Sequence, residues 1–290
     1  MKQRLITSIL IIAGVIPLFF FKSYFLAIIT FVAITAAIEL NDLFLDKKNP
    51  LLILTSFALI AVLGFNFLIE IDKLLVLAIF LIAFAIIDIV YRNIKINDLA
   101  LVFFVSTLLG MALSSIIYMY ELNVLIVLFV IIANYTSDIG AYLVGSRFGK
   151  NKLAPTISPN KTVEGSIGGI VFSSICSITF GYFLLLDYFP VERLVLLALV
   201  IPTISQFGDL FFSSIKRLYN KKDFGSLFPG HGGVFDRIDS LIFSLLWMMI
   251  FISLGYLGVI VWKKLFYLEP QALLENKQLT LLEIIQISLN

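Results

Sequence analysis

Between Ser213 and Asp239 the chain reads S-S-I-K-R-L-Y-N-K-K-D-F-G-S-L-F-P-G-H-G-G-V-F-D-R-I-D, a dense block of groups that could do chemistry. Five of the 21 Lys and Arg residues lie in it (Lys216, Arg217, Lys221, Lys222, Arg237). So do three of the 19 carboxylates (Asp223, Asp236, Asp239) and the only histidine, His231. Carboxylates do not bind phosphate directly, but they hold Mg2+, a hard cation that sits between carboxylates and substrate phosphates. Lys and Arg then neutralise the remaining oxygens and any charge that develops. Carboxylates beside clustered cations therefore point to phosphate chemistry. His231, between Gly230 and Gly232–Gly233, fits three roles: an acid or base, a phosphate contact, or a structural residue of a Gly-rich turn. The glycines let backbone approach a ligand closely.

Further carboxylates lie near the ends of apolar runs, where charge is costly and a functional reading is the default. Asn134 and Asp138 are four residues apart, so they share a helix face with Ala141 and Gly145. Ser205, Asp209, Ser213 and Lys216 fall within about 80° of arc at 3.6 residues per turn. Asp236, Asp239 and Ser240 stand at i, i+3 and i+4 at a helix start. Asp88, one turn from Arg92, reads as a local ion pair. A second basic loop, Ser146–Glu164, contains S-P-N-K-T-V-E-G. Thr162 is its expected helix N-cap, Glu164 falls in the first turn, and Lys161 beside free backbone N–H groups suits a phosphate.

The elements that must position these groups are membrane helices. The chain has 290 residues, 60% hydrophobic and only 14% charged, with mean hydropathy +1.05. A soluble domain carries about a quarter charged residues. The expected fold is an all-α polytopic membrane protein. Charge-poor runs give about nine spans: Leu5–Phe21, Ser23–Ile38, Leu51–Ile69, Leu74–Val90, Leu99–Tyr120, Leu122–Gly145, Gly165–Leu186, Leu194–Ile215 and Ile238–Trp262. The first is read as a retained span. Of the 21 basic residues, 15 fall on the side of the N-terminus and 6 on the other, which places the N-terminus and the basic loops in the cytoplasm and the C-terminus outside. The chain reads as one integral membrane domain: a five-helix part over 1–120, a catalytic four-helix part over 121–262 with cytoplasmic loops 146–164 and 218–236, and a tail over 263–290 of no assigned role. The tail could lie in the interface, pack on the bundle or support a homodimer. Gly165, Gly169, Ser173, Ser177 and Gly181 recur every fourth residue, a ridge that lets two helix backbones approach closely. Cys176 reads as a small apolar residue of a span. No nucleic-acid partner is expected.

The block S-x-I-K-R-x4-K-D-x-G-S-x-x-P-G-H-G-G-x-x-D-R-x-D resembles the signature of the phosphatidate cytidylyltransferases, the CDP-diacylglycerol synthases, of bacterial type. S-P-N-K-T-V-E-G and the N-x-x-x-D at Asn134–Asp138 are similar to that family too, so the likeness runs from Asn134 to Ser240. The resemblance implies an enzyme of the inner membrane, with its active site facing the cytoplasm, that makes CDP-diacylglycerol and pyrophosphate from CTP and phosphatidate. It implies Mg2+, with K+ as a second cation. Asp209 and Asp236 match the family's metal-binding aspartates. Lys216, Arg217, Lys222 and Arg237 would bind phosphates, and Lys161 the triphosphate. Asp138 and Asp239 would complete the metal shell or position those cations. Asn134, Ser213, Asp223 and His231 are the remaining candidate substrate contacts. A CTP-dependent polyprenol or lipid kinase is the nearest rival. A transporter would instead place its charges near the midplane. The D-G-x-x-A-R motif of CDP-alcohol phosphotransferases does not occur.

Overall fold

A computed structural model describes residues 17, 21–44, 49–66, 71–91, 94–227 and 232–266. Its helices are α1 (Lys22–Phe44), α2 (Pro50–Gly64), α3 (Lys73–Val90), α4 (Ile96–Leu122), α5 (Val124–Phe148), α6 (Val163–Leu184), α7 (Val191–Leu218) and α8 (Phe235–Phe266). Seven are long and apolar enough to cross a membrane; α2, with 15 residues, is shorter. The protein is thus an α-helical polytopic membrane protein. Its outward faces are greasy: Leu74, Ile79, Ile82, Ile86 and Ile89 of α3 are all exposed, as lipid contact requires. Of the expected first span only residues 17 and 21 are among the described residues, and the tail beyond residue 266 lies outside them.

Several helices outrun their expected spans. α1 continues past Ile38 to Phe44, α5 past Gly145 to Phe148, and α7 past Ile215 to Leu218. Hydropathy marks the hydrocarbon, whereas the helical ladder continues into the polar layer while its backbone bonds can be made. The helical expectation holds, with one short piece of sheet beside the helices. Residues Lys152–Ala154 (β1) and Ser158–Thr162 (β2) form an antiparallel hairpin between α5 and α6. Glu164 locks its base by accepting from the Lys150 and Asn151 backbone N–H groups at 3.0 and 3.2 Å. Thr162 caps α6 as expected, its hydroxyl accepting from Gly165 N at 3.1 Å.

The small-residue ridge of α6 is buried along its length and lies against α5. A Cβ at Gly165 would come within 2.8 Å of the Ala141 carbonyl, and one at Gly169 within 2.6 Å of the Ser137 carbonyl. Ser173 donates to the Ala133 carbonyl at 2.6 Å, so the contact is polar as well as close. Pro202 inside α7 has no N–H for the Ala198 carbonyl. The Ser174 hydroxyl of α6 reaches that carbonyl at 2.9 Å, sharing its proton with the Ile170 carbonyl at 2.7 Å. At the end of the bundle opposite the hairpin, Lys22 pairs with Glu121 at 2.6 Å.

Candidate active site

At the hairpin end, the C-termini of α1, α5 and α7 meet the N-termini of α6 and α8. Asp209, one turn before Ser213 on α7, forms an ion pair with Lys161 at the end of β2. Its other oxygen accepts from the Ser213 hydroxyl at 3.2 Å. Both members of the pair remain about a quarter exposed, at 28% and 26%. The hairpin thus swings a lysine from the loop onto the α7 stripe. Asp138 of α5 and Lys161 line a cavity of about 430 Å3 that Tyr142, Gly145, Ser166 and Gln206 also bound. Lys161 and Lys216 gather Asp209, Asp236 and Asp239 at this end, and Asp138 lines the same cavity as Lys161.

The second pair is deeper. Lys216 Nζ lies 2.9 Å from Asp236 and 3.4 Å from Asp239, with no side chain of the three more than 10% exposed. The ammonium also sits 5.1 Å above the Phe224 ring. The ammonium of Lys216, an expected phosphate contact, lies between two buried carboxylates. Burying all three groups is tolerable because the one ammonium bridges both carboxylates and backbone N–H groups donate to each of them, and removing one partner of a buried pair costs about 3–5 kcal/mol. Asp236 is further held by backbone. Its second oxygen accepts from Phe224 N at 2.8 Å, Gly233 N at 3.0 Å and Gly225 N at 3.4 Å. Gly232 adopts φ +84°, and a Cβ there would lie 2.8 Å from that oxygen. At Gly232 and Gly233 the glycine-rich turn brings backbone to the protein's own carboxylate, where a ligand was expected.

Other candidates take structural positions. Asn134 is fully buried; its amide donates to Ser240 at 3.1 Å and accepts from Ser205 at 2.7 Å and Ser244 at 2.8 Å. It ties α5, α7 and α8 together beneath the site. Arg217 donates to the Ile157 and Lys221 carbonyls at 3.2 and 2.8 Å, fastening the hairpin turn to the end of α7. Arg237 is exposed at the start of α8, and its carbonyl accepts from the Tyr135 hydroxyl at 3.0 Å. Lys222 and Asp223 are exposed on the loop. His231 and Arg92 lie outside the described residues. Tyr219, just past α7, donates to Asp98 at 2.5 Å; burial, then that bond and the Asp98 charge, holds its phenol above the ordinary value.

Glu39 of α1 escaped the sequence reading. It is 7% exposed and accepts from the Val234 and Phe235 backbone N–H groups at 2.9 and 2.8 Å. Three residues on, the Asp42 carbonyl accepts from Lys221. The signal was present: a carboxylate within one turn of the end of an apolar run.

Whether a metal fits can be judged from the donors. Asp209 and Asp236 offer hard oxygen, each now neutralised by a lysine. Among the described residues no group of three or more His, Cys, Asp or Glu could hold a metal alone. Two carboxylates completed by phosphate oxygens and water are the usual setting of Mg2+, so the residues fit that ion.

The family model of the cytidylyltransferase family matches residues 2–255. The chain belongs to the cytidylyltransferase family. Within it, the chain is 43% identical over 120 residues to a phosphatidate cytidylyltransferase of Bacillus subtilis, a match covering 41% of this chain and 44% of that protein. It is 42% identical over 120 residues to one of Staphylococcus haemolyticus, covering 41% and 45%. It is 43% identical over 120 residues to one of Staphylococcus aureus, again covering 41% and 45%. The matched region spans less than half the length of each relative.

Proposed function

We propose that this cytidylyltransferase-family protein is a phosphatidate cytidylyltransferase, transferring the cytidylyl group of CTP to phosphatidate to give CDP-diacylglycerol and pyrophosphate. The observation that carries the reading is the pairing of Asp209 with Lys161 and of Asp236 with Lys216 at one end of an apolar bundle. Carboxylates and lysines alternate there, at the depth where a lipid phosphate meets a soluble nucleotide. A phosphatidate oxygen attacks the α-phosphorus of CTP, and the bond to the β-phosphate breaks. A phosphate monoester is largely ionised at neutral pH, its second pKa being about 6, so no general base is obligatory.

Lys161, partly exposed beside the cavity, turns to the triphosphate. Lys216 stays buried and holds Asp236 and Asp239 in place. Exposed Arg237 and Lys222 bind the outer phosphate oxygens. Asp138 positions Lys161 across the cavity. Asp209 and Asp236 would hold Mg2+, with K+ as a second cation; the metal supplies charge neutralisation at the reacting phosphates and at the leaving pyrophosphate. The site faces the cytoplasm of a bacterial cell, where CTP is found, and the lipid arrives from the bilayer. Full-length protein in detergent, given phosphatidate and labelled CTP, is expected to transfer label only with Mg2+ present. Equal transfer in the presence of a chelator would refute the metal assignment.

A further inference from the structure

α8 begins without a cap of its own. Val234 stands where a Ser, Thr, Asn or Asp side chain would satisfy the first free N–H groups. The acceptor comes from another helix: the two Glu39 carboxylate oxygens take the N–H groups of Val234 and Phe235, across 195 and 196 residues of chain. The negative group also sits at the positive end of the α8 dipole. Space is made for it by glycine. A Cβ at Gly233 would fall 2.4 Å from both Glu39 oxygens, and one at Gly225 would fall 2.6 Å from one of them.

Glu39 and Asp236 divide the turn between them. Asp236 takes the N–H groups of residues 224, 225 and 233, and Glu39 those of 234 and 235. The Asp236 backbone follows directly on the segment Glu39 holds. We propose that Glu39 is a positioning residue: it caps α8 from α1 and thereby fixes Asp236 against Lys216 in the geometry that phosphate transfer needs. It touches no substrate. This rests on the cytidylyl-transfer reading for its consequence in turnover, but the cap itself is readable without any turnover.

The test uses full-length protein in detergent and two measurements. Amide hydrogen exchange of residues 232–237 in Glu39→Gln is expected to quicken, with residues 165–184 of α6 unchanged. Gln is isosteric but turns a donor toward one of two donors. The kcat for lipid labelling is expected to fall by about tenfold or more, with KM for CTP within about threefold, since misplacing a reacting group by about 1 Å can lower turnover on the order of a hundredfold. Gly233→Ala should have the same effect with Glu39 intact, and should add nothing in a Glu39→Ala background, where the room exists. Unchanged exchange at 232–237 overturns the cap. Quickened exchange with unchanged kcat overturns the positioning role. Additive effects of Gly233→Ala and Glu39→Ala overturn their shared origin. If unaltered protein labels no lipid, the functional reading falls while the exchange result still decides the cap.

Discussion

Asp209 and Asp236 have the same side chain and different surroundings, and those surroundings separate their expected mutant behaviour. Asp209 is a quarter exposed and pairs with a lysine that can turn away. Asp209→Asn is expected to lower Mg2+-dependent transfer by about a hundredfold or more while melting near the parent temperature. Asp236 is 3% exposed and shares a buried ammonium with Asp239. Asp236→Asn is expected to lose transfer as well, and also to melt lower, by less than the about 3–5 kcal/mol of a fully broken buried pair, because Asp239 still faces Lys216. Turnover together with thermal melting in detergent checks both; normal turnover in either variant removes the metal assignment. Asn134→Ala strands three serines and is expected to cost about 1–3 kcal/mol of stability with KM for CTP unchanged. A raised KM with an unchanged melt would return Asn134 to the substrate.

At the scale of elements, what the sequence could announce depended on how local the cause was. The α6 ridge was readable because a four-residue repeat of small residues has one structural use in lipid, and α5 does approach within backbone distance there. The Thr162 cap was readable because it acts three residues away. The hairpin at 152–162 was not, since S-P-N-K-T lacks strand alternation and its pairing is closed by Glu164 from the next helix. Helix ends ran beyond their expected limits because a change in hydropathy does not stop the backbone ladder. Glu39 and the glycine turn failed for a shared reason: the partner of each lies on a distant helix, and spacing along one strand of sequence cannot show it. Two changes check the α5–α6–α7 seam. Gly169→Leu forces a side chain toward the Ser137 carbonyl and is expected to lower the melting temperature sharply. Ser174→Ala leaves the carbonyl freed by Pro202 without its donor and is expected to cost about 1 kcal/mol.

For the whole molecule, apolar helices exposed on their outer faces carry a polar end built from α1, α5, α6, α7 and α8. Lys22, Glu121 and Arg193 mark the opposite end, Arg193 lying beside Gly255 of α8. The excess of basic residues at the site end is the ground for proposing that this end faces the cytoplasm. With Cys176 replaced by Ala, a cysteine at exposed Ser226 should react with an impermeant reagent only from the cytoplasmic side; labelling from outside would invert the orientation. The reaction itself has one decisive assay. Reconstituted protein is given phosphatidate, Mg2+ and CTP carrying one label in cytidine and another in the γ-phosphate. The account predicts cytidine label in the lipid and γ-label in water as pyrophosphate. γ-Label in the lipid without cytidine, the outcome of a kinase, would contradict it.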